Sequence, residues 1–403
     1  MTGFRWLTAG ESHGKGLVAV VEGMPAGVPL SADEIAADLA RRQQGYGRGK
    51  RQQIEQDRAE IMSGVRHGLT IGSPIALTLI NRDFENQGWN VRMATEPVDQ
   101  DVERVTLLRP GHADLAGTQK YGFDDVRPIL ERSSARETAA RVAVGAVARA
   151  LIRAVAGIEV HSHTLQIGSV RADVPGRIDW AAVDASPVRV ADRAAEQPMI
   201  DEVDRIKEAL DTIGGVFEVR ATNVPFGLGS HVHWDRKLDG QLAQAIVSIN
   251  AVKGVEIGDG ISNVELPGSE VQDVILPADA WERKKWERAS NRAGGLEAGM
   301  TNGQDIVVRG FIKPIATVPR RLPTADLLTG EEATAFYERS DVAVVPAAGV
   351  IGEAMVAIVL AGALIEKFGG DHLAEMRRNF EAFEATVGPR EATPPEPAPE
   401  ARA

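Results

Sequence analysis

The chain has 403 residues, no cysteine and a formal net charge of −12, which is length enough for one large core or for two domains. The acidic balance argues against broad binding to nucleic acid or to an anionic membrane surface. The lack of cysteine removes disulfides, thiolate nucleophiles and thiolate metal sites. No signal-peptide apolar stretch follows Met1, and the longest apolar run, residues 342–364, contains Pro346, Gly349, Gly352 and Glu353, which reads against a membrane span. A reduced, cytoplasmic setting is the expectation.

In chain order, Phe4 to Leu7 and Leu17 to Val21 read as strands flanking a glycine-rich loop. Ser31 with Glu34 fits a capping box, opening a helix whose apolar face includes Ile35 and Leu39 and which ends by Gly45. Residues 61–80 read as β-rich, punctuated by Gly64, Gly68, Gly72 and Pro74. Ser134 and Glu137 form a second capping-box pattern before Val142, Ala143, Ala146, Val147 and Ala150, which recur at helical spacing up to Gly157. A third helix is expected from Leu238 to Ile249. A fourth, from Ile351 to Phe368, is closed by Gly369 and Gly370. Small residues crowd the second and fourth helices, as close packing in an interior requires. Residues 1–388 are taken as a single domain, whose catalytic character follows from the family resemblance given below. Residues 389–403, rich in Pro, Glu and Ala, read as a disordered tail.

Generic motifs do not fit. Gly10 to Gly16 has its Gly-Lys pair one residue too early for a phosphate loop and lacks the following Ser or Thr. Gly14 to Ala19 matches a dinucleotide fingerprint by spacing, but Val18 to Val21 reads as strand where a helix is required. His161 with His163, and His231 with His233, would each share a strand face. Neither pair has a third ligand nearby, so solvated strand histidines are expected rather than a metal site. The run Glu282 to Lys285 reads as a wet surface.

The segments that carry chemistry combine glycine, arginine and a titratable group. They are Gly10-Glu11-Ser12-His13-Gly14, Gly45-Tyr46-Gly47-Arg48-Gly49, Arg109-Pro110-Gly111-His112-Ala113-Asp114, Arg132-Ser133-Ser134-Ala135-Arg136-Glu137 and Arg339-Ser340-Asp341. Glycine permits close backbone approach, the guanidinium fork matches phosphate and carboxylate, and histidine titrates near neutrality. A helix starting at Ser134 adds unpaired N–H groups, a ready anion site. Together these point to a small polyanion undergoing proton-transfer chemistry.

On these segments the chain resembles the chorismate synthase family along nearly its full length. Lys120-Tyr121-Gly122, Ala251 to Gly258, Asn291 to Gly295 and Lys313-Pro314-Ile315-Ala316-Thr317 add to the resemblance. It implies an α+β fold, a sandwich of central helices between antiparallel sheets, assembled as a homotetramer. It also implies a shikimate-pathway lyase that converts 5-enolpyruvylshikimate 3-phosphate to chorismate and phosphate by 1,4-elimination. Reduced FMN is required without net redox change, with NADPH or a separate flavin reductase as the source of electrons.

By that resemblance His13 protonates the flavin, His112 protonates the departing phosphate and Asp341 assists loss of the hydrogen. Ser12, Arg48, Arg109, Arg136 and Arg339 hold the substrate anions. Arg42 and Arg48 match nicotinamide-nucleotide positions. Arg132, Ser133, Ser134, Asn250, Ala251, Lys313, Pro314, Ile315, Ala316, Thr317 and Arg339 match FMN contacts, and so does Ala298, where many relatives have glycine at a turn. The other readings are a flavin- or NADP-dependent oxidoreductase acting on a phosphorylated small acid, and an anion-binding protein without catalysis.

Overall fold

Two antiparallel sheets enclose a layer of apolar helices. The computed structural model describes residues 3–49, 57–86, 88–174, 176–280, 286–338 and 341–390. The first sheet runs in the order Arg5–Gly10, Gly16–Glu22, Ile75–Ile80, Ala59–Ile61. Period-two alternation buries Leu17, Ala19 and Val21 and leaves Val18 and Val20 on the outer face. The second sheet runs in the order Val252–Ile257, Ile306–Ile312, Gly215–Thr222, Glu159–Ile167, Val170–Arg171.

The helices Thr138–Ala156 and Val345–Phe368 pack on each other between the sheets. The first leans on Gly16–Glu22, the second on Glu159–Ile167 and Gly215–Thr222. Small residues make this contact possible. A Cβ on Gly145 would lie 2.3 Å from the Ala354 Cβ, and one on Gly352 would lie 2.8 Å from the Phe217 ring. The architecture is therefore the expected α+β sandwich of helices between antiparallel sheets.

Several local expectations hold. Ser31 and Glu34 form a complete capping box at the helix Ala32–Gln43. Gly157 terminates the Thr138 helix in the left-handed region. Others are corrected. Ser134 caps only a short 3₁₀ turn, Ala135–Glu137, by accepting from the Arg136 N–H. Glu137 instead pairs with Arg141 one turn on, at 3.0 Å. The third helix is Leu238–Val247, two residues shorter than its pattern.

The fourth helix starts at Val345, six residues early, and is not interrupted. Pro346 sits in its first turn, where a missing N–H leaves no bond unmade. It is the one described helix long and apolar enough to cross a membrane, with 83% of its most apolar window buried inside the protein. Glu353, within it, is fully buried among Arg41, Arg149, Arg189 and Ser162. Helices Arg193–Glu208 and Leu373–Glu384 were not foreseen.

His161 and His163 do share a strand face, but His163 is buried and His161 only partly exposed. The His161 ring stacks on Trp180 and His163, buried, donates or accepts at Nε2 with Glu218 at 3.1 Å. His231 and His233 lie in an exposed loop rather than on a strand. The run Glu282 to Lys285 and the tail from residue 391 lie outside the described residues.

Candidate active site

Where the sheets and helices meet, loops from distant parts of the chain line one cavity of about 1150 Å³. That exceeds the roughly 300–1,000 Å³ usual for a single small ligand. Nine cationic side chains line it, among them Arg42, Arg48, Arg109, Arg127, Arg136 and Lys313, against five carboxylates. A chain of net charge −12 thus concentrates positive charge at one place.

The loop after the first strand turns sharply because Gly10 adopts φ 109°. A Cβ there would lie 2.3 Å from the Gly16 carbonyl oxygen. This brings Ser12 and His13 under the helix Arg127–Ser133. The buried Glu131 carboxylate accepts from the His13 backbone N–H at 2.7 Å and contacts the His13 Nδ1 at 3.0 Å. Burial pushes the Glu131 carboxyl up, but the His13 bonds and the Arg127 charge outweigh it and hold it below its ordinary range. Being ionised it can only accept, so His13 donates from Nδ1 and keeps Nε2 for other work. Trp89 stacks on the His13 ring at 3.8 Å, and Arg92 and Arg127 lie over the indole. Arg127 also reaches Glu338 at 2.8 Å.

His112 sits at the start of the helix Asp114–Tyr121. Its Nδ1 is 2.5 Å from Asp114 Oδ1. The same carboxylate takes Arg109 through its backbone N–H at 3.0 Å and its guanidinium at 2.9 Å. Burial acts to raise the Asp114 carboxyl, yet the bonds from His112 and Arg109 hold it well below the carboxylate range.

Asp341 closes the third corner. Gly47 adopts φ 86°, and its carbonyl accepts from Val342 N–H at 2.8 Å, pairing the two loops. Gly49 N–H then donates to Asp341 Oδ1 at 2.6 Å, and Arg48 reaches Oδ2 at 2.9 Å. The Arg48 Nε is buried with no protein partner, as a group awaiting an anion would be. Asp57 bridges Arg136 and Arg42, at 2.5 Å and 3.5 Å, and Asn81 takes the Arg136 Nε at 3.0 Å.

On the flavin-matching side, Ser133, Ser134, Asn250, Ala251, Lys313, Ile315, Ala316 and Thr317 line the same cavity. Ser134 Oγ donates to Ser12 Oγ at 3.2 Å, Asn250 Nδ2 donates to the Ser133 carbonyl at 3.0 Å, and Lys313 Nζ donates to the Gly111 carbonyl at 2.9 Å. The Asn250 Oδ1 is buried and unpartnered. Ala251 holds φ 66°, a strained conformation for a residue with a Cβ.

Three expected positions, Arg132, Pro314 and Ala298, do not line the cavity, and a fourth, Arg42, lines it with its guanidinium already engaged. Arg132 is exposed on the other side of its helix, donating to the Gly10 and Thr8 carbonyls. One helical step of ~100° separates it from Ser133. Pro314 is exposed and does not line the cavity, although Lys313 and Ile315 on either side of it do. Ala298 is exposed in the tight turn between Leu296–Glu297 and Met300–Asn302. Its φ of 51° shows why glycine suits that turn. Arg42 is at the wall but only 4% exposed. All three of its guanidinium nitrogens are engaged, by Thr138, Asp57 and the Ala135 carbonyl. Burial lowers its pKa to about 9. It is therefore not presented to a nucleotide. Arg339 lies outside the described residues.

Sequence reasoning missed Trp89, Asp57, Asn81 and Arg127, which carry no local motif. Asp114 stood inside one motif and Glu131 directly preceded another, and their position relative to the histidines in space was the missing element.

Two ring nitrogens anchored on buried carboxylates, beside an arginine-lined cavity on an α+β sandwich, define an acid–base enzyme for a small polyanion. The family model for chorismate synthase matches residues 4–365. The chain is 54% identical to the chorismate synthase of Mycobacterium avium, covering 96% of this chain and 98% of that one. It is 52% identical to that of Streptomyces coelicolor, covering 95% and 98%. A crystal structure of chorismate synthase matches with a TM-score of 0.75 at 42% identity, covering 96% of this chain and 98% of that one. The chain belongs to the chorismate synthase family.

Proposed function

We propose that the cavity eliminates phosphate from 5-enolpyruvylshikimate 3-phosphate to give chorismate, as a carbon–oxygen lyase of the shikimate pathway. The observation that carries this is the convergence of His13, His112, Asp341 and the arginine cluster on one cavity, in a chain that matches the family over nearly all of its length. The substrate bears a phosphate and two carboxylates, and Arg48, Arg109 and Arg136 supply the forks to bind them. His112, with Nδ1 engaged by Asp114, delivers a proton from Nε2 to the departing phosphate oxygen. His13 would supply a proton to the flavin when it is bound, not to the substrate. Asp341, steadied by Arg48 and the Gly49 N–H, would assist, together with the bound flavin, the loss of the ring hydrogen as a proton.

The cavity suits a second, flat ligand. Asn250 offers an unpartnered buried Oδ1, and Ser133, Ser134, Ala251, Lys313 and Ile315 to Thr317 would hold reduced FMN beside it. When bound, the reduced flavin supplies the electron density that a hydrogen of such low acidity requires. Electrons reach it from NADPH or from a separate flavin reductase, and assays with and without a reductase separate the two. The test of the whole reading is turnover. Oxidised FMN alone is expected to give no chorismate, and dithionite-reduced FMN is expected to give many turnovers per flavin. Product that instead follows reducing equivalents one for one would establish the oxidoreductase.

The assembly we propose is a homotetramer in the cytoplasm. Supporting it, the outer face of the first sheet exposes Leu7, Val18, Val20 and Ile80, with Leu7 directly opposite Val20. Such a patch marks an association surface. Leu7→Lys with Val20→Glu is expected to lower the mass measured by light scattering. An unchanged mass would remove this face from the interface.

A further inference from the structure

We infer that Asp114 is a positioning residue for the reaction: one buried carboxylate sets both the ring of His112 and the fork of Arg109. This rests on the role given to His112 above.

The geometry is specific. Asp114 is fully buried at the first position of its helix. Its Oδ1 meets His112 Nδ1 at 2.5 Å and Arg109 Nη2 at 2.9 Å. Its Oδ2 meets the Arg109 Nε at 2.9 Å and the Arg109 backbone N–H at 3.0 Å. Four donors therefore converge on two oxygens, with none left over for the ligand. A carboxylate only accepts, so Nδ1 must carry a proton. Arg109 Nη2 lies 3.0 Å from Nδ1 and 3.4 Å from Nε2, and with Nδ1–H committed to Asp114 it is Nε2 that is left to exchange a proton with the ligand. After it protonates the leaving oxygen, the ring remains neutral with Nδ1–H still on Asp114. Rotation of the ring, which would present the wrong nitrogen, costs the Asp114 bond.

The same carboxylate aims Arg109. Its Nε edge is taken by Asp114, and Nη1, 3.3 Å from Thr317 Oγ1, faces the cavity wall. A proton donor and an anion clamp are thus held by one group, in register with each other. A short loop, Pro110 to Ala113, supplies the reach. Gly111 turns it with φ 78°.

The experiment is a double-mutant cycle in steady-state kinetics with reduced FMN. Asp114→Asn keeps the shape but offers an amide N–H or a weaker acceptor to Nδ1. It is expected to lower kcat by ~10²–10⁴-fold, the scale of a lost general acid or of a misset imidazole tautomer. In a His112→Ala background the same substitution is expected to change kcat by less than ~10-fold, because the group it positions is gone. The rise in KM that comes through Arg109 should be alike in both backgrounds. An equal-fold loss of kcat in both backgrounds would show a merely structural role and overturn the inference. No loss in the His112 background-intact enzyme would overturn it too. Should Asp114→Asn fail to fold by circular dichroism, Asp114→Glu, which moves the charge by one methylene, is carried through the same cycle with the same criteria. If His112→Ala by itself leaves kcat unchanged, the role of His112 falls, and this inference with it. A kcat loss in His112→Ala with none in Asp114→Asn removes only the inference.

Discussion

Arg48 is the residue at which ligand binding and loop structure are most closely joined. The Gly45 to Gly49 segment reads in sequence as an accessible loop, from which little effect on folding follows. The structure corrects that: the Arg48 side chain is only 11% exposed and pairs with Asp341. Its buried, unpartnered Nε still points to an anion. Arg48→Lys keeps the charge and loses the fork. Losing a charge-assisted pair costs roughly 1.5–3 kcal/mol, so substrate affinity measured by titration should fall about ten- to more than a hundredfold. The thermal midpoint should fall by a few degrees, since lysine retains part of the Asp341 pairing. Normal affinity with a large fall in midpoint would make Arg48 a structural residue.

At the scale of elements, the two central helices depend on having almost nothing at their crossing. Any side chain on Gly145 would meet Ala354 Cβ at 2.3 Å and Ala354 Cα at 2.6 Å. Alanine raises intrinsic helix propensity by ~1 kcal/mol over glycine. Overpacking typically costs 1–3 kcal/mol, and here the obstacle is backbone rather than a flexible tip. Gly145→Ala should therefore lower the midpoint in calorimetry, and Ala354→Gly in the same chain should recover part of the loss. A midpoint that rises would mean that the helices part freely. The sequence already held the small residues and their spacing. Which glycine faces which alanine was decided by the crossing of two helices about 200 residues apart in the chain.

At the scale of the molecule, Glu353 links the helical layer to both flanks. Arg41 comes from the Ala32–Gln43 helix, Arg149 from the Thr138 helix and Ser162 from the second sheet. Burial acts to raise its carboxyl, but Arg149, Arg41 and Arg189 together lower it from 4.5 to about 2. Because the folded value lies below the unfolded one, this contribution is complete above pH 4.5 and declines as pH falls toward 2. Removing one partner from a buried ion cluster costs ~3–5 kcal/mol. Glu353→Gln should therefore unfold at lower denaturant at pH 7, with a gap to the parent that narrows between pH 4.5 and 2. A constant gap would mean that the charge of Glu353 is not what stabilises the layer.

Much of the candidate site was legible because its pieces are local. Glycine with arginine and histidine within six residues, as in Arg109 to Asp114, marks a loop suited to an anion, and that pattern survives in any surrounding. The apolar period of the Thr138 helix and the capping box at Ser31 are likewise written into neighbouring residues. Contacts between segments were not legible. Nothing near His13 indicates that Glu131, 118 residues away, takes its Nδ1, or that Trp89 covers its ring. Asp57 joins Arg42 to Arg136 only because folding brings their loops together. That pairing turns Arg42 from an expected ligand contact into part of the wall. Residue type and spacing determined which chemistry the chain carries. Packing decided which nitrogen faces the ligand and which charge is already neutralised, since both depend on partners that meet only in the folded chain.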